Sequence, residues 1–237
     1  MEKINKHLTG FFLILSLVLP FSFCYAQEMI QDEQIRIYIW SDLDPYPGNY
    51  REPEGKVSSE LAVFEYAIER SKEIAPFLMN GMIYGWSFDY TPSDKMRNVS
   101  EYFDFKEVQP FNPKINPITF HSPEVKEDRL ESWAYCTRTP VQTVIYERWK
   151  SINHPKIKGK GTGSIEDGFE GIKNACAQAV KNAVRTYYQQ QIKNKPKEIE
   201  GNVLLIKQPR IYIKNGQYVV DLDFFMETDT IKVYTYY

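Results

Sequence analysis

Between Gln34 and Asp42 the chain alternates Ile35, Ile37 and Ile39 with Arg36, Tyr38 and Trp40. Period two on a pleated backbone puts the isoleucines on one face, so the segment reads as a strand with one side buried. "LDPYPGNYREPEG" follows, rich in Pro and Gly, and reads as a loop. From Ser58 the period changes. Leu61, Phe64, Ile68, Ala75 and Leu78 recur three, four or seven apart, which predicts an amphipathic helix capped by Ser58 or Ser59. Pro76 should fray or bend its last turn. Met82, Tyr84, Trp86, Phe88 and Tyr90 then alternate as an aromatic strand face, and Val99–Val108 returns as its hairpin partner.

"QPFNPKINP" places Pro110, Pro113 and Pro117 close together, a connector over 110–117. Strands are expected at "ITFHS", "ESWAYCTRT" and, after Pro140, "VQTVIYERW". "KIKGKGT" is a short extended run. A helix from about Ser164 to Lys193 follows, with Ile165, Phe169, Ile172, Cys176, Val180, Ala183 and Tyr187 as its buried stripe. Ser164 and Asp167 resemble a capping box at its start. Asn215-Gly216 then joins two strands by a type I′ turn, because both residues tolerate positive φ. A two-residue turn fixes the register: Lys214 faces Gln217, Ile213 faces Tyr218, Ile211 faces Val220 and Arg210 faces Asp221. "ETDT" is expected to turn once more, leaving "IKVYTYY" as an edge strand.

These elements predict an α+β fold, two amphipathic helices packed on mixed or antiparallel sheet. The connector divides it into a lobe over 27–109 and a lobe over 118–237. Each half runs in the order extended segment, helix, hairpin, which suggests two divergent βαββ lobes.

The first 26 residues change the picture of where the protein works. Lys3 and Lys6 precede an apolar run from Phe11 to Phe23, broken by Pro20, and Cys24-Tyr25-Ala26 offers a small residue before Gln27. This is the three-part pattern of a signal peptide. The run is shorter than the ~20 residues a spanning helix needs. Lipid attachment at Cys24 is disfavoured because Phe23 stands where a small residue belongs. The expectation is an exported protein, periplasmic or secreted, with no transmembrane segment after signal removal. Losing Lys3, Lys6 and Glu2 moves the formal net charge from −2 to −3. With no basic stripe, binding nucleic acid by counterion release is excluded as a class. Export also permits Cys136 and Cys176 to pair as a disulfide, with two buried free thiols as the alternative.

The glycines at 159, 161 and 163 raise the question of a phosphate loop. The sixth position from Gly159 is Ser164 and from Gly161 is Glu166, so neither start completes Gly-x-Gly-x-x-Gly, and no Walker string exists. Glu166, Asp167 and Glu170 would repel a phosphate at the helix start. The glycines are better explained by close approach of a strand to another backbone. No cofactor is implied. The same stretch resembles the βαββ modules of flagellar assembly protein T and related bacterial outer-membrane lipoproteins, through Gly159, Gly161, Ala175, Ala179, Ala183 and "NVLLIKQPRIYIKNGQYVVDLDF". That resemblance implies an envelope protein that assembles with others and carries no chemistry.

His121 and His154 have no metal-ligand spacing, and no Gly-x-Ser-x-Gly elbow supports a hydrolase. Asp42, Asp44 and Asn49 share a loop, but their spacing is that of ordinary turn chemistry rather than a calcium loop. Aromatics are abundant, with 17 Tyr, 14 Phe and 4 Trp, and those outside the core can engage a partner or stack a sugar. Trp40, Tyr46 and Tyr50 flank the early loop; Tyr234, Tyr236 and Tyr237 end the chain. These six form the expected partner or ligand surface. The functional expectation is a non-catalytic cell-envelope module that binds protein partners. A binder of glycans or small ligands through loop aromatics is the alternative, and an unrecognised hydrolase is less favoured.

Overall fold

A computed structural model describes residues 32–44, 46 and 64–235. The expected signal peptide, Cys24, Tyr50, the expected cap at Ser58 or Ser59, Tyr236 and Tyr237 lie outside these residues. The elements are β1 (Gln34–Asp42), α1 (Glu65–Ile83), β2 (Trp86–Thr91), β3 (Tyr102–Glu107), β4 (Thr119–Lys126), β5 (Arg129–Thr137), α2 (Pro140–Trp149), β6 (Lys156–Ser164), α3 (Phe169–Gln191), β7 (Glu198–Leu205), β8 (Arg210–Lys214) and β9 (Gln217–Lys232). The fold is α+β, as expected. One sheet has the order β1-β5-β4; the other has β3-β2-β7-β9-β6, with β8 also on β9. Every pairing is antiparallel.

The two halves interleave instead of forming separate lobes. β1 pairs with β5 from beyond the Pro-rich connector, and β2 pairs with β7. In the first half β1 lies in a different sheet from β2 and β3, whereas β6, β7 and β9 share one sheet. The strand orders therefore differ, and the expected duplication fails. A single apolar cluster runs through Ile35, Ile37 and Ile39 of the small sheet, Leu78 and Met82 of α1, and Trp86, Val203 and Leu222 of the large one.

α1 lies between the sheets, which is why its second half has no wet stripe: Phe77, Leu78, Met79, Asn80, Gly81, Met82 and Ile83 are all buried. It continues through Pro76 to Ile83 rather than fraying. The ring removes the donor for the Lys72 carbonyl, but Lys72 is exposed, so water can serve it.

α2 corrects another expectation, since "VQTVIYERW" is helical and not extended. Gln142 N–H donates to Thr139 Oγ1 at 3.4 Å, and Thr139 N–H donates to Gln142 Oε1 at 2.8 Å. With Pro140 in the first turn this is a capping box, which outweighs the β-propensity of the valines. α2 packs Tyr146 and Trp149 on Leu204 and Phe225 of the large sheet.

β6 runs directly under α3. A Cβ at Gly159, Gly161 or Gly163 would overlap the carbonyl oxygens of Ala179, Ala175 or Gly171, so the glycines serve close approach, as expected. α3 begins at Phe169, later than expected. Ser164 still ends β6 and its Oγ accepts from Glu166 N–H at 3.1 Å, while Gly168 occupies the helix cap. The β8–β9 hairpin has the expected register, with φ of 52° at Asn215 and 69° at Gly216. β9 does not turn at "ETDT". It continues to Lys232 because β7 pairs along it from Glu198 to Leu205.

Candidate functional site

Trp40 stands at a seam between the two sheets. Tyr38 N–H donates to Gln208 Oε1 at 2.8 Å, so the even-numbered residues of β1 turn their backbone groups away from β5. Across the seam, Trp40 Nε1 donates to the Ile211 carbonyl at 3.1 Å, which shows that β8 likewise turns backbone groups away from β9. Among the described residues, two edges with no strand partner thus face a common cleft of about 470 Å³. Ile39, Ile74, Ile172 and Ile211 supply its apolar lining, and Lys207 and Arg210 its charge. Lys207 is paired with Asp223 at 2.5 Å. Arg210 faces Asp221 in register, yet Asp221 pairs with Lys160 at 3.4 Å, so Arg210 has no carboxylate partner among the described residues.

The other expected surface residues are not gathered here. Tyr46 is 40% exposed, and its hydroxyl donates to Glu166 Oε1 at 3.3 Å, beside the start of α3. Tyr234 is half-buried under the Arg97 guanidinium, 4.3 Å from the ring centre. The outer face of the small sheet is aromatic, with Tyr38 and Trp133 5.2 Å apart. Guanidinium groups cover these indoles: Arg36 lies 3.6 Å from Trp133 and Arg129 4.1 Å from Trp40. Each of these two indoles thus has a guanidinium over one face. Cys136 and Cys176 are buried free thiols on β5 and α3, the second of the two alternatives the sequence leaves open. Burial pushes the Cys136 thiol up to about 11 and raises Cys176 as well, so both are unreactive.

Two features escaped the sequence reading. A groove of about 600 Å³ lies where α1, α3 and β3 meet, with Phe77, Phe103, Phe105 and Phe169 along it. Its phenylalanines come from three elements far apart in sequence, so no local pattern announces it. The second feature is a set of carboxylates, Asp89, Glu198 and Glu200, whose oxygens lie within 4.8 Å of one another. Cross-strand register collects them, with Asp89 opposite Glu200. Lys232 bridges Glu198 at 2.7 Å and Glu200 at 2.6 Å, so an ammonium already occupies the position a cation would take. Burial, then Glu198 and Glu200, raises the Asp89 pKa; Lys232 lowers that of Glu198. His121 bonds Thr119, and His154 bonds Ser151 and packs on Trp149. Asp42 is taken by Arg129 at 3.0 Å. No described helix is long and apolar enough to cross a membrane.

A protein-family model whose description names no activity matches residues 22–234, and the chain belongs to that family. An uncharacterized protein of Treponema pallidum (strain Nichols) is similar at 24% identity over 232 residues, covering 95% of each chain. No solved structure matches.

Proposed function

We propose that this family member is an exported, non-catalytic interaction module of the cell envelope or periplasm, and that it engages a polypeptide partner at the seam between β1 and β8. The observation that carries this reading is the cleft itself. Two strands from different sheets turn open edges toward one apolar space, and open edges are where chains add to chains. The charged, apolar and hydrogen-bonding groups around it suit a peptide.

Export is supported by the N-terminal pattern alone. It is tested by fractionating the native host and sequencing the mature N-terminus. Cleavage before Gln27 is expected, and an uncleaved cytoplasmic chain would contradict it. Partner binding is tested by placing a photoreactive residue at Pro209, on the cleft, and another at Val144, which is 70% exposed on α2. Polypeptide adducts should form from 209 and not from 144. Adducts from neither position would sink the interaction reading.

A further inference from the structure

Resting on that reading, we infer how the partner binds: an extended segment with an apolar residue flanked by Asp or Glu adds as a strand to the β1 edge, taking the place now held by the Gln208 side chain. Among the described residues β1 has a strand partner, β5, on one side only, and on the other its Tyr38 N–H is served by a side-chain amide oxygen from a loop. A side chain is a poor substitute for a strand. It serves one donor, whereas the antiparallel ladder turns the backbone groups of Arg36 and Trp40 outward in the same direction. β8 is in the same position, with the Ile211 carbonyl served by the indole of Trp40.

Side-chain chemistry then selects the segment. In a strand lying along β1, alternate side chains point toward and away from the protein interior. The inward position meets Ile39, Ile74, Ile172 and Ile211, so it takes an aliphatic residue. The lining has Lys207 and Arg210 and no acidic residue, and Arg210 lacks a carboxylate partner among the described residues. An acidic flank completes that pairing, and a basic one would be repelled. The aromatic groove beside β3 offers no such selection, because its rim mixes Glu73, Asp104, Glu107 and Glu170 with Lys106 and Lys173.

The test is a selection of displayed random nine-residue peptides on the full mature chain, followed by binding measurements on the enriched sequences. Enriched peptides should share an apolar centre with Asp or Glu flanks. Arg210→Glu should weaken them by about tenfold or more. N-methylation at the alternate backbone amides that face β1 should abolish binding, because those amides pair with its outward carbonyls. Basic or pattern-free enrichment, binding indifferent to Arg210→Glu, uniform tolerance of N-methylation, or no enrichment over uncoated support would each overturn the inference. Peptides that fail this pattern while position 209 still captures a protein in cells would leave the interaction module standing and remove strand addition.

Discussion

Two seams in this molecule show how residue size decides whether a strand edge is closed or left open. At the first, β6 lies under α3 with three glycines against the helix backbone, and Asn182 Nδ2 reaches the outward Lys160 carbonyl at 2.9 Å. At the second, β1 and β8 are spanned by an indole and a Gln side chain, leaving about 470 Å³ between. The first seam is built from residues with nothing to insert, so backbones touch. The second is built from long side chains, so backbones stay apart and their outward groups are served by side chains instead of by another strand.

The contrast is broken most severely at the closed seam. Gly161→Val drives side-chain atoms into the Ala175 carbonyl and should cost roughly 3 kcal/mol or more, read by urea denaturation or as failure to accumulate folded protein. Trp40→Ala removes the Ile211 hydrogen bond and the packing on Tyr218, 6.3 Å away. The ring is half-buried, so about 2 kcal/mol is expected by the same measurement. The junction of β2 and β7 is a third kind of seam, crowded by like charge. The folded pKa of Asp89 is raised above its unfolded value, so its protonated form is the favoured one in the fold. Its relative stabilisation is present below the unfolded pKa and is lost as pH rises through the folded pKa. Burial, followed by the nearby Glu198 and Glu200 carboxylates, drives this shift, and Lys232 offsets part of it. Asp89→Asn should therefore raise Tm at neutral pH by a small amount, set by solvent screening, with the gain vanishing in acid below the carboxylate range. Gln208→Ala should change stability least, by less than about 0.5 kcal/mol, because water can replace the amide at Tyr38.

Local pattern announced the elements whose neighbours are close in sequence. The Asn215-Gly216 hairpin came out in the expected register because a two-residue turn determines pairing by itself. The glycines of β6 announced a close approach because nothing else explains their spacing. What local pattern did not announce was which sheet each strand joins, since β1–β5 and β2–β7 pair across the Pro-rich connector. α2 was misassigned because Val141, Val144 and Ile145 favour strands, while the signal that decides it is the Thr139–Gln142 box around Pro140. Its exposed valines and isoleucine show that it was never an amphipathic helix of the usual kind. Trp40 was legible as a surface residue, but its cleft was not. Gln208 and Arg210 come from a loop and strand about 170 positions away, and the register that leaves Arg210 without a carboxylate partner among the described residues depends on Lys160 in a third strand.

Whether the β1–β8 seam is held open for a chain is tested most directly by amide hydrogen exchange, residue by residue, on the protein with and without a selected peptide. Addition of a strand predicts that the outward amides of β1, at Arg36, Tyr38 and Trp40, become protected while β6 is unchanged. Protection confined to the aromatic groove at β3 or to the end of β9, with β1 unaffected, would contradict it.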